Sequence, residues 1–317
     1  MKEMKNAIKY FMAIFIMVTA FCMIGVPVSA AGVTQTDQTT SSVTISWPAN
    51  EKAIEYSVII GKDYYEVKDA IPVTVPAGTT SYTFTGLEPG TQYMVNVKYT
   101  YQGFSQTATG SIGSTDVKTL SAKVSGVKQK SWSYYAKAVI FEWKDQPAAD
   151  YEYVIKNHKN KVVEKQSTGI RQATFNKVDN NVVYQLQVRA YVVINGKKYY
   201  SGWSDKTYLF TQPMIKTAGI SRKKLTIKWN KVNGVTGYDV YVSTKVKSGY
   251  KKVKSLNAKK TSCTLSKFKG KKFNAGKTYY MYIVGKKKVG GKTYKTGKNT
   301  TYKLEKGKCG QEIGIAS

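Results

Sequence analysis

The chain has 317 residues, 42% hydrophobic and 22% charged, with three cysteines, one histidine and a formal net charge of +31. So few cysteines exclude a disulfide-built scaffold, and cysteine and histidine together are too sparse for a clustered metal site. The charge imbalance bears on partners rather than on fold.

Lys2, Lys5 and Lys9 precede an apolar run from Phe11 to Val26, and Val28-Ser29-Ala30 stands before Ala31. These are the three parts of a secretory signal peptide, residues 1–30, with cleavage expected after Ala30. The apolar run is shorter than the roughly 20 residues a spanning helix needs, so no membrane span is expected in the mature chain. Phe21 before Cys22 argues against a lipoprotein cleavage box.

Residues 32–120 begin with a Ser/Thr-rich lead-in, Thr34 to Ser42. Alternating apolar runs then predict strands at Val43 to Trp47, Ile54 to Ile60, Ser81 to Phe84 and Tyr93 to Tyr99. Pro76-Ala77-Gly78 and Pro89-Gly90 are turn signals, and Gly103 to Thr115 suits a long hairpin. No helical period of useful length appears, and Glu51, Glu55, Asp63, Glu66 and Asp69 read as solvated loop charges.

Residues 121–210 predict strands at Ala136 to Trp143, Tyr151 to Lys156, Ala173 to Asn176, Val182 to Val193 and Lys198 to Phe210. Asn195-Gly196 between apolar runs is a type I′ hairpin signal. Residues 211–304 repeat the order, with Gly290-Gly291 in place of Asn195-Gly196, and residues 305–317 read as a polar tail. Linkers are short, which predicts a semi-rigid rod.

The repeat rests on one cassette seen three times: Trp47 followed by Tyr56, Trp143 by Tyr153, and Trp229 by Tyr238. A second tyrosine opens a later alternating run in each copy, at Tyr93, Tyr184 and Tyr279. A buried Trp early, a Tyr opening a late strand and about 90 residues per copy are what a Greek-key β-sandwich with a tyrosine corner needs. With Gly86-Leu87-Glu88-Pro89-Gly90 before Tyr93 and Tyr199-Tyr200-Ser201-Gly202-Trp203-Ser204 in the middle copy, the chain resembles the fibronectin type III family. The third copy departs at that last motif, offering Lys295-Thr296-Gly297. The resemblance implies an all-β chain of three tandem sandwiches, found in secreted proteins of bacterial type, with spacer or binding roles and no cofactor.

Catalytic chemistry finds no purchase. His158, the sole histidine, lies in a turn among lysines that supplies no buried orienting carboxylate. Gly276-Lys277-Thr278 and Gly291-Lys292-Thr293 resemble the end of a phosphate loop, but each precedes a predicted strand rather than a helix. Cys263 and Cys309 can be read as a bridge or as two free thiols, the second being the plainer reading.

Charge is the remaining signal. Residues 214–317 hold 27 Lys+Arg against three Asp+Glu, whereas residues 32–120 hold five against eight. The densest runs are Lys247, Lys251, Lys252, Lys254, Lys259 and Lys260; then Lys267, Lys269, Lys271 and Lys272; then Lys286, Lys287 and Lys288. The first and third are expected to merge on one four-stranded sheet, with Tyr238, Tyr241, Tyr250 and Tyr294 interleaved for packing against sugar rings or bases. This predicts adhesion to an anionic polymer such as a cell-wall polyanion or acidic glycan, with nucleic acid bound only non-specifically and a protein partner also open. Arg222 is the unit's one arginine, which favours diffuse attraction over a shaped phosphate site. The alternative is a structural spacer without a ligand.

Overall fold

The computed structural model describes residues 32–314 apart from 134, 148–149, 299 and 307. The proposed signal peptide lies outside the described residues. The architecture is all-β, in three successive sandwiches with one short helix.

In the first unit the elements are β1 (Thr34–Gln38), β2 (Ser42–Ser46), β3 (Ala53–Gly61), α1 (Tyr64–Asp69), β4 (Val73–Pro76), β5 (Ser81–Thr85), β6 (Gln92–Gln102) and β7 (Thr107–Lys118). Sheet β1-β2-β5 packs on sheet β4-β3-β6-β7. Alternation along each strand sends one side chain in two to the shared core, where Val43, Ile45, Tyr56, Val58, Val95, Val97 and Val117 have no exposed surface.

The second unit comprises β8 (Lys128–Ser133), β9 (Ala138–Glu142), β10 (Asp150–Lys156), β11 (Val162–Thr168), β12 (Gln172–Phe175), β13 (Tyr184–Ile194), β14 (Lys197–Tyr200) and β15 (Thr207–Leu209). Here β8-β9-β12 faces β11-β10-β13, with β14 and β15 both paired to β13. The third has β16 (Ile215–Ser221), β17 (Lys224–Trp229), β18 (Gly237–Ser243), β19 (Lys251–Asn257), β20 (Ser262–Leu265), the ribbon β21 (Lys267–Phe268) and β22 (Lys271–Lys272), β23 (Tyr279–Val289), β24 (Lys292–Lys295), β25 (Thr300–Glu305) and β26 (Lys308–Gly314).

The same contacts recur in each unit. Trp47 meets Tyr56 edge-on at 5.6 Å, Trp143 meets Tyr151 at 5.2 Å, and Trp229 meets Tyr238 at 5.5 Å between ring centroids. Such pairs add about 0.5–1.5 kcal/mol beyond burial. In the middle copy the partner is therefore Tyr151; Tyr153 packs on Phe141 instead. Spacing misleads there because the turn after Trp143 is one residue shorter. Each partner hydroxyl accepts a backbone N–H from the intervening turn, of Asn50, Gln146 and Val232 respectively.

The corner tyrosines behave alike. Tyr93, Tyr184 and Tyr279 accept the N–H of Glu88, Asp179 and Asn274, each five residues upstream, at 2.8, 2.9 and 3.2 Å. A feature the sequence reading did not register is a glutamine clasp. Gln35 pairs its side-chain amide with both backbone groups of Lys118, and Gln129 does the same with Phe210. The clasp ties the first strand of one sheet to the last strand of the other. It also anchors the Ser/Thr-rich lead-in, Thr34 to Ser42, whose first part is strand β1.

Other expectations are met or amended. Asn195 and Gly196 both have positive φ, 49° and 75°, as a type I′ turn requires. Asp63 and Glu66 are not merely solvated: Asp63 caps α1 by accepting the Glu66 N–H, and Glu66 returns to the Lys62 N–H. That is a capping box in which the glutamate returns to the residue before the N-cap, legible as Asp-Tyr-Tyr-Glu. Gly61 is required beside it, since a Cβ there would lie 2.7 Å from the Val67 nitrogen. The 305–317 segment, read as a polar tail, supplies β26, which pairs with β25 and touches β16, joining the two sheets of the third unit.

Cys263 and Cys309 are free thiols. Cys309 is on β26 and Cys263 on β20, with β16 and β17 between them. Three strand spacings of about 4.8 Å far exceed the reach of a disulfide.

The second and third units are welded. Val183 donates to the Asn233 carbonyl, Asn233 donates to the Asn181 carbonyl, and Gln212 pairs its amide with the Thr300 backbone in buried surroundings. Val183 and Phe210 enter the core of the third unit, and Tyr208 meets Tyr294 edge-on at 4.9 Å. Between the first two units, Gly90 lets the Pro147 carbonyl approach where a Cβ would meet it at 2.7 Å.

Two outcomes test this packing. Tyr184→Phe strands the Asp179 N–H and is expected to cost about 1–2 kcal/mol in urea denaturation. Burial pushes the Cys263 thiol up to about 11, so in the native protein it should resist alkylation at pH 8 and react only under denaturant.

Candidate functional site

The candidate surface is the lysine field of the third unit, and strand register decides where each cation goes. Strand β16 runs from Ile215, opposite Trp229, to Ser221, opposite Lys224. Leu225 at the start of β17 faces Leu265 at the end of β20. Ser243 ends β18 opposite Tyr280, and Tyr279 opens β23 opposite Leu304. These registers gather four connections at the end remote from the second unit: the 222–223 turn, the 244–250 loop, the 266–278 segment and the turn at 306. The opposite end carries the 230–236 loop, the 258–261 turn and Gly290-Gly291; the first of these lies against the second unit, and Tyr294 of β24 donates to the Lys206 carbonyl there.

The remote pole carries Arg222, Lys223 and Lys224; Lys245 and Lys247; Lys267, Lys269, Lys271, Lys272 and Lys277; and Lys306, every one exposed. The acid beside them, Glu305, is paired with Lys303 at 2.8 Å. Lys267 stands directly opposite Lys272 in the β21–β22 ribbon, a like-charge pair that opposes folding. Arg222, Lys223, Lys269 and Lys306 also have φ of 48°, 57°, 51° and 47°. That left-handed region costs a side chain with a Cβ roughly 1–2 kcal/mol.

The expected merger of the first and third lysine runs happens only in part. Lys252 and Lys286 share the outer face of β19-β18-β23, but they converge on Asp239. Its side chain is 2% exposed and receives the Lys286 ammonium at 2.6 Å and the Ser255 hydroxyl at 2.7 Å. Burial works to raise the Asp239 pKa, but Lys286, Ser255 and the field of Lys252 outweigh it and hold the carboxyl below its usual range. Lys287 reaches over the Tyr208 ring of the second unit at 5.6 Å. Lys288 is exposed, Lys251 and Lys254 lie on β19, and Lys259 and Lys260 occupy the turn at the inner end. The second unit has a parallel arrangement, in which buried Glu152 holds Arg189 at 2.6 Å and Arg189 stacks over Tyr200 and Trp203.

The interleaved tyrosines are not free for a ligand. Tyr238 is fully buried, Tyr241 stacks on Tyr282 at 4.7 Å, Tyr250 meets Tyr282 edge-on, and Tyr294 is engaged by Tyr208. Lys298 covers the Tyr250 and Tyr282 rings in the place the middle copy gives to Arg189 and Trp203. Thr296 there exchanges hydrogen bonds with the Gly285 backbone as Ser201 does with Ala190, so the last strand pairing survives without the tryptophan.

His158 is exposed in the turn between β10 and β11. Both phosphate-loop lookalikes lead into strands, β23 and β24. Among the described residues no three His, Cys, Asp or Glu are grouped to hold a metal, and no helix is long and apolar enough to cross a membrane. A cleft of about 230 Å³ at the junction of the second and third units is lined by Lys123, Lys206 and Lys292, with Asp205 2.7 Å from Lys123.

Residues 27–112 match the fibronectin type III domain family. Among solved structures, the chicken CNTN1 FN1–FN3 domains are similar at 13% identity and a TM-score of 0.31, over 86% of this chain and 97% of that one. A two-domain fibronectin type III segment from chicken tenascin gives 13% and 0.33, over 57% of this chain and 98% of that one. No curated protein matches. The first unit is a fibronectin type III domain, and the next two repeat its strand order, its Trp–Tyr pair and its tyrosine corner.

Asp239→Asn leaves Lys286 facing a neutral amide and should cost about 2–3 kcal/mol, below the full penalty for a buried pair because the lysine keeps some water. Since the folded carboxyl titrates below the unfolded one, its contribution is present above about pH 4 and fades as pH falls through the folded value. Urea midpoints of parent and variant should therefore draw together as pH is lowered below the usual carboxylate range.

Proposed function

We propose that this is an exported, non-catalytic binding protein whose third unit docks on an anionic polymer, of the cell-wall polyanion or acidic-glycan kind. The observation that carries the reading is the placement of charge. Cations of the third unit stand exposed, and carboxylates to neutralise them are few. Neutralising several polymer charges releases their counter-ions, so attraction is strong at low salt and steeply lost as salt rises. The welded junction supports a rod that holds this unit at a fixed distance, with the mildly acidic first unit directed away. The tight junction also suits the second reading, a spacer with no ligand of its own.

The test is a salt series of the chain from Gly32 onward on immobilised polyphosphate and on heparin. Log affinity is expected to fall with log salt at a slope of about −3 or steeper. Retention no greater than on an uncharged matrix overturns the reading and leaves the spacer.

A further inference from the structure

We infer that the remote pole of the third unit is an end-on receptor for a linear phosphate polymer, an inference that rests on the anionic-polymer reading and gives it a place and a ligand class. At this pole local turn chemistry conflicts with what the sequence supplies. Two-residue hairpin turns need positive φ and are best served by Asn-Gly or Gly-Gly. The chain uses those at Asn195-Gly196 and Gly290-Gly291, the tips beyond β13 and β23.

At the remote pole a cation takes a left-handed position in three turns, two of which keep the glycine that should follow it. Arg222-Lys223 links Ser221 to Lys224, Lys269-Gly270 links Phe268 to Lys271, and the turn from Glu305 to Lys308 begins with Lys306. The four cations in these turns have left-handed backbone, and Lys267 faces Lys272 across the second turn. Each choice opposes folding, and all fall at the one end of the unit that faces away from the rest of the array. One further cation has such a backbone, Lys137 between β8 and β9 of the second unit; the other four gather at this pole, and strain that gathers where each turn has an easier solution marks a surface kept for binding.

Ligand chemistry follows from the residue types. Lysine is a compact, strongly hydrated point charge suited to phosphate, without the planar fork that reads a shaped anion. Phe268 and Phe273 at this pole are buried, Tyr250 is held by the Val246 carbonyl, and Tyr280, opposite Ser243, is partly buried, so what the pole presents is dominated by cations rather than by rings for stacking on a base or a sugar. The pole therefore fits a flexible, repeating phosphate or phosphodiester chain, read by charge density.

The test replaces the strained cations with residues that hairpins prefer: Arg222→Asn, Lys223→Gly, Lys269→Asn and Lys306→Asn together. The melting temperature is expected to hold or rise, while affinity for long-chain inorganic polyphosphate falls at least tenfold and the salt slope shrinks by about 3. A charge-matched control, Lys254→Gln, Lys259→Gln, Lys260→Gln and Lys288→Gln, should lose less than threefold. If the turn variant melts lower, Lys267→Gln with Lys272→Gln must still weaken binding more than two control substitutions. Equal losses in pole and control variants overturn the pole while leaving the anionic-polymer reading intact. Absence of parent binding to any polyanion overturns both. Tighter parent binding to heparin than to polyphosphate of equal charge overturns the phosphate assignment.

Discussion

Each unit depends on a tyrosine hydroxyl that accepts a backbone N–H five residues upstream, at Tyr93, Tyr184 and Tyr279. That bond fixes where the long strand β6, β13 or β23 begins, and the strand is hydrogen-bonded to neighbours on both sides. Once its start is set, every other strand end is set by register, because an antiparallel neighbour can shift only by turning its buried face to water. The corner and the Trp–Tyr contact across the two sheets hold one arrangement in which all turns fall at two poles.

This explains why charge dispersed through a sequence becomes local in space. Arg222, Lys247, Lys269 and Lys306 are separated by dozens of residues, yet each sits in a connection at the same end. The opposite end is spent on the junction, where Val183, Phe210 and Gln212 tie the second unit to the third. The array therefore has a bonded end and a charged end. Its geometry suits presentation of a surface better than enclosure of a substrate.

Buried acids show how the same fold handles charge inside a sheet face. Glu152 and Asp239 each follow the core tyrosine of their strand, each is nearly inaccessible, and each holds a cation from the neighbouring strand. Lys286 thus belongs to the fold more than to a binding face, although by sequence it is one of three consecutive lysines. A run of like residues in a strand is split by the pleat, which sends alternate members to different surroundings.

The class of fold, the number of Trp–Tyr cassettes, the corner tyrosines and the Asn195-Gly196 turn were legible in the sequence. These depend on residues close together in the chain, whose period and turn chemistry are local. It also located the excess charge in the third unit. It could not assign Tyr151 over Tyr153, because a one-residue change in turn length is invisible to spacing. Nor could it show that Tyr241, Tyr250 and Tyr294 are engaged by other rings, that Lys286 is neutralised by Asp239, or that the 305–317 segment closes the last sandwich. Those points, and the gathering of the strained basic turns, come from packing, since which lysines become neighbours is set by pairing between strands far apart in sequence.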